Sequence, residues 1–62
     1  MKKPTDDEKR AYLFSQEGWR EDYMDGRGMR WTFYPRDRRR RVSDDYSLFM
    51  AYNLAISGEL RN

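Results

Sequence analysis

A chain of 62 residues without a cysteine has to hold together by packing alone, because no disulfide narrows its unfolded ensemble. At this size a hydrophobic core supplies only about 3–5 kcal/mol of net stability. Aromatic side chains stand where cross-links would be: two Trp, five Tyr and three Phe. Each ring buries roughly 150–250 Å², so a handful fills a small core. That richness argues against simple disorder even though 39% of the residues are charged. A single domain spanning 1–62 is predicted, with 1–4 and 59–62 frayed, and a second copy or partner is an obvious way to complete so small a core. The lack of cysteine makes a reducing cytoplasm the default compartment. No apolar run approaches the ~20 residues that span a bilayer. The basic start at Lys2 and Lys3 is followed by Pro4, Thr5 and acids rather than an apolar region, unlike a signal peptide.

Helix signals bracket the chain. Thr5-Asp6-Asp7-Glu8 has the form of a capping box, and apolar residues then recur at Tyr12, Trp19 and Tyr23, widened by Leu13 and Phe14. Gly18 costs about 1 kcal/mol relative to Ala and marks a place where the helix would kink or break. Asp25-Gly26 supplies a stop, which predicts one helix over about 5–25. Near the other end Ser43 suits an N-cap, Asp44 and Asp45 a first turn, and Gly58 a C-terminal cap. A second helix is therefore predicted over 44–57. Its densest apolar face is Leu48, Phe49, Tyr52, Ala55 and Ile56, with Met50 and Leu54 off that face. A helix apolar around so much of its circumference needs burial on several sides, and Phe49, Met50 and Leu54 are the candidate protein-interface residues, including for a homodimer through this helix. Between the helices, 29–42 reads as an extended aromatic and basic connector or a short β-hairpin. Met29, Trp31 and Phe33 would face one side and Arg30, Thr32 and Tyr34 the other. The fold class predicted is mainly α.

Charge is distributed unevenly along this frame. Residues 1–26 carry five positive and seven negative charges, residues 27–42 seven and one, and residues 43–62 one and three. The net +2 thus conceals a cationic band in which Trp31, Phe33 and Tyr34 immediately precede Arg36, Arg38, Arg39, Arg40 and Arg41. Guanidinium groups bind phosphate in two-point fashion and stack on planar rings. Aromatic platforms beside them suit single-stranded nucleic acid, at about 1–3 kcal/mol per stacked base. The candidate nucleic-acid-binding residues are Arg27, Arg30, Arg36, Arg38, Arg39, Arg40, Arg41, Trp31 and Tyr34. Trp31 and Phe33 have a competing use as core, and the arginines a competing use in surface ion pairs, which contribute little to stability.

Several chemistries are excluded. With no His and no Cys, the usual zinc, iron–sulfur and Ser-His or Cys-His sites cannot be built. Asp44/Asp45 reads as a helix start, and Glu21/Asp22 as a solvated face rather than a glycosidase pair. Gly26-Arg27-Gly28 lacks the Lys-Ser/Thr of a phosphate loop. No enzymatic activity, cofactor or metal is predicted.

Arg10-Ala11, Gly26-Arg27, Tyr34-Pro35, and Leu48 with Tyr52 followed by Ala55 give the chain a layout that resembles the ribosome modulation factor family, small basic bacterial proteins of two helices joined by an extended linker. In that family the linker holds a Pro-Tyr pair near a Cys and the second helix two Trp, where this chain has Tyr34-Pro35, Leu48 and Tyr52. The resemblance implies binding to ribosomal RNA and a role in tuning translation. The sequence thus favours a small, non-enzymatic nucleic-acid-binding regulatory protein, with RNA preferred to DNA. The alternative is a protein–protein module, such as a phage-type accessory inhibitor, docking an acidic protein surface.

Overall fold

The computed structural model describes residues 3–26, 28–37, 39 and 43–62. In chain order they form α1 (Asp6–Ser15), β1 (Trp19–Asp25), β2 (Gly28–Phe33), β3 (Ser43–Tyr46) and α2 (Leu48–Ser57). The three strands make one antiparallel sheet in the order β1-β2-β3. This is an α+β fold, and the mainly α prediction is overturned.

The first departure lies after Ser15. Thr5 caps α1 as its sequence announces, its hydroxyl accepting from the Glu8 N–H while the Glu8 carboxylate accepts from the Thr5 N–H. The helix stops ten residues before Asp25. Gln16 turns extended and donates its N–H to Leu13 O, and Gly18 takes φ +99°, a conformation that L side chains resist. Trp19 and Tyr23, spaced as on a helix, instead lie on a strand. Their spacing of four fits either period, and a bulge between Glu21 and Tyr23 shifts the strand's alternation. Asp25 pairs with Gly28, so the Asp-Gly dipeptide begins a two-residue hairpin connection rather than ending a helix.

The second departure lies before α2. Ser43 does not cap the helix; Ser47 does, its Oγ accepting from the Met50 N–H. Shifting the start to Leu48 frees 43–46 to pair with β2, placing Tyr46 opposite Trp31 and its ring 6.0 Å from that of Trp19. Central β2 therefore has partners on both sides, neither of them the arginine run. Gly58 closes α2 with φ +84°, the left-handed cap expected there.

Both helices pack on one face of the sheet. The core is Leu13, Trp19, Trp31, Phe33, Ala51 and Ala55, with Tyr12, Tyr46, Leu48, Leu54 and Leu60 packed around it. Ala51 and Ala55, one turn apart on α2, let its backbone come close to the large rings of the sheet. Lys9 lies over Phe49 and Tyr12 meets Tyr52, so the helices run in the same direction. The predicted loose tail is tied down: the Leu60 N–H donates to Leu54 O at 3.2 Å and the Trp19 indole donates to Leu60 O at 3.0 Å.

The two core tryptophans differ in one respect. Trp19 Nε1 has its acceptor, whereas Trp31 Nε1 is buried without a hydrogen-bond partner among the described residues. Trp19→Phe should therefore lose about 1 kcal/mol more stability than Trp31→Phe, since only the latter removes an orphaned donor as it shrinks the ring. Urea denaturation of the two variants measures this, and an equal or reversed order would refute the assignment.

Candidate nucleic-acid interface

The segment joining β2 to β3 carries the arginines, and its base is fixed by three hydrogen bonds. The Tyr34 N–H donates to Gly18 O at 2.7 Å, the Arg36 N–H to Asn62 Oδ1 at 2.7 Å, and the Asn62 side-chain amide to Glu17 O at 3.0 Å. Gly18 sits at the centre of this knot. A Cβ there would lie 2.6 Å from Tyr34 O and 2.7 Å from Asn62 Nδ2, so the chains can meet this closely only at glycine. Further along, Asp37 Oδ1 accepts the Arg39 N–H at 3.0 Å, an Asx turn in form.

The candidate residues separate into three groups. Arg36 and Arg39 project from this segment and are exposed. The Arg36 guanidinium pairs with the Glu17 carboxylate, but the two side chains are 75% and 59% exposed, so water or a phosphate can replace the carboxylate at little cost. Arg27, Arg38, Arg40 and Arg41 lie outside the described residues. Arg30 and Trp31 are committed to the fold. Trp31 is fully buried against the helices because the inward face of the central strand is the core, and no ring face remains for a base. Arg30, only 8% exposed, donates from Nε to Asp45 Oδ1 at 2.8 Å and from Nη2 to Asp45 O at 2.5 Å, with Asp25 3.8 Å away. It clamps β3 to β2 rather than reaching a ligand.

That clamp belongs to the sheet face that no helix covers. Asp45 has φ +70°, uncommon outside glycine though least so for Asp and Asn, and its carboxylate also accepts from the Tyr23 hydroxyl at 2.5 Å. Nearby, Asp22 Oδ2 accepts from Thr32 Oγ1 at 2.7 Å and from the Tyr34 hydroxyl at 2.9 Å. Tyr34 remains exposed, with the Arg20 guanidinium over its ring at 5.4 Å. Arg20 is the residue that sequence reasoning missed. Placed on a helix it looks solvated and unrelated to the arginine run, but pairing with Thr32 puts it next to Tyr34 at the base of the loop.

Of the candidate protein-interface residues, Phe49 and Met50 are 64% and 51% exposed, while Leu54 turns inward against the core. Among the described residues no cluster of His, Cys, Asp or Glu could hold a metal ion, and no helix is long and apolar enough to cross a membrane. No family model, no curated protein and no solved structure matches the chain.

The Tyr23 hydroxyl titrates above the ordinary value of 10.0, first because it donates to Asp45, then through partial burial and the negative charges of Asp45 and Asp25, with Arg30 opposing. Since the folded value is raised, the bond's contribution to stability is whole below pH about 10 and is lost as the pH climbs through the raised value. Ultraviolet titration should show one tyrosine ionising late, and Asp45→Asn should bring it back toward 10; a late tyrosine unaffected by Asp45→Asn would contradict the assignment.

Proposed function

We propose that this chain is a small non-catalytic nucleic-acid-binding protein that grips phosphates through the β2–β3 loop, with RNA, including ribosomal RNA, as the favoured polymer. Arg36, Arg38, Arg39, Arg40 and Arg41 neutralise the backbone, Arg20 extends the cationic surface onto the sheet, and Tyr34 offers the ring next to it. The observation that carries this is the fixed base of the loop. Three hydrogen bonds converging on Gly18 and Asn62 fix the base of the segment from which the exposed Arg36 and Arg39 project, and surface ion pairs contribute too little stability to explain five arginines within six positions. Anchoring lowers the entropy lost when those groups meet a phosphate chain. The role is regulatory occupancy rather than chemistry, in keeping with a sequence that has no His and no Cys for the usual Ser-His or Cys-His nucleophile pairs.

Five phosphate contacts to a single strand correspond to a log–log salt slope of roughly −3.5. Fluorescence anisotropy of labelled single-stranded RNA, titrated at several salt concentrations, should give a slope near this value. Arg39→Ala and Arg36→Ala should each weaken binding across sequences and reduce the slope by about 0.7. Gly18→Ala should also weaken binding while leaving the arginines in place, because it disrupts the base of the loop. Binding indifferent to salt would overturn the proposal. Tight binding to polyglutamate with none to RNA would favour the acidic-protein alternative instead.

A further inference from the structure

A second recognition surface lies away from the loop. Lys3, Pro4, Lys9, Phe49, Tyr52 and Asn53 line an open cleft of about 280 Å³ between the segment leading into α1 and the first turns of α2. Because the helices run in parallel, this cleft lies toward their N-terminal ends, whereas the Glu17 and Asn62 contacts of the loop base lie beyond their C-terminal ends. Its floor is apolar and includes Phe49, which is 64% exposed. The charged groups on its walls are both cationic. Fold stability gives no reason to leave so large a ring in water.

We propose that this cleft binds a short acidic peptide segment of a partner protein, seating one aliphatic side chain on Phe49, Tyr52 and Pro4 and a carboxylate between Lys3 and Lys9. Charge and shape both select this occupant. Lys9 Nζ stands 5.3 Å from the centre of the Phe49 ring, covering a face on which a nucleobase would otherwise stack, so an aliphatic group seated at the remaining ring surface fits better than a nucleotide. Asp6 competes mildly from the rim. Its carboxylate is 3.9 Å from Lys9 Nζ and 84% exposed, a contact that a better-placed carboxylate displaces. The proposal is independent of the nucleic-acid reading, since no residue is shared.

The probe is a short blocked peptide with one leucine between two aspartates in a Gly/Ser background, added to the isotopically labelled full chain and followed by NMR. Shifts should concentrate on Lys9, Phe49, Tyr52 and Asn53. Lys9→Gln and Phe49→Ala should each weaken binding about tenfold, and Asp6→Asn should tighten it by relieving Lys9 of its competitor. Phe49 is exposed enough for its variant to fold, which far-UV circular dichroism verifies, and Lys9→Gln offers a second, purely electrostatic arm. Replacing the leucine by serine, or the aspartates by lysine, should abolish the shifts. Any of three results would overturn the proposal: equal binding of those control peptides, loss of peptide binding in Arg39→Ala, which would place the peptide on the loop, or displacement of the peptide from the cleft by a single-stranded oligonucleotide.

Discussion

The fold depends on three rings stacked between a sheet and two alanines. Trp19, Trp31 and Phe33 lie on the inward face of β1 and β2, with Trp19 and Phe33 directly paired across the strands and their ring centres 5.1 Å apart. Ala51 and Ala55 are what allow α2 to lie flat on that layer, since a larger side chain at either position would hold the helix off and open voids around the rings. Leu13 fills the side nearer α1. The six buried apolar residues among those described leave little redundancy: α1 contributes Leu13, β1 Trp19, β2 Trp31 and Phe33, and α2 Ala51 and Ala55, while β3 adds the partly buried Tyr46 at the margin. The early end of α1 follows from the same demand, because only a strand places Trp19 and Trp31 on one surface.

Positive charge is used in two opposed ways around this core. Arg30 is taken inside the polar network of the uncovered sheet face, where Asp45 and Asp25 surround it and Tyr23 shares the Asp45 carboxylate. Arg10, exposed on α1, donates to Glu21 at 2.6 Å and joins that helix to β1. Arg36 and Arg39 are exposed beyond a fixed base: the Arg36 guanidinium meets the largely exposed Glu17 carboxylate, and the Arg39 backbone N–H donates to Asp37. Composition alone cannot separate these roles. An arginine two residues from an aspartate in the sequence looks like one fifteen residues away until the strands are paired.

What the sequence made legible was mostly local. The Thr5–Glu8 capping box, the Gly58 cap and the two-sided alternation from Met29 to Phe33 depend on residues within a few positions of one another, and each is present. Trp31 and Phe33 share one face and Arg30 and Thr32 the other, the division the alternation predicts, but that the Trp31 face is the core and not a ligand platform is decided by the helices packed on it. What was not legible depended on partners distant in the chain. Residues 19–25 alternate weakly and are interrupted by a bulge, and their strand character comes from pairing with β2. Ser43 and Ser47 are comparable caps in isolation, and the choice between them is made by Tyr46 entering the core. The candidate site was legible to the same degree: the arginine run stands out in the sequence, whereas the commitment of Arg30 and Trp31 to the fold and the placement of Arg20 beside Tyr34 required the register.

The unequal surroundings of the two indoles equip the molecule with a pair of intrinsic reporters. Both rings are shielded from solvent, yet one N–H is bonded to the Leu60 carbonyl and the other has no acceptor among the described residues, so their proton resonances should be well separated. Asn62, two positions beyond that carbonyl, holds the backbone of Arg36. A disturbance at the root of the arginine segment therefore reaches Trp19 through a short covalent path, while Trp31, enclosed by the sheet and helices, registers the integrity of the interior. Engagement at the surface and loosening of the whole can be told apart in one spectrum without attaching a label.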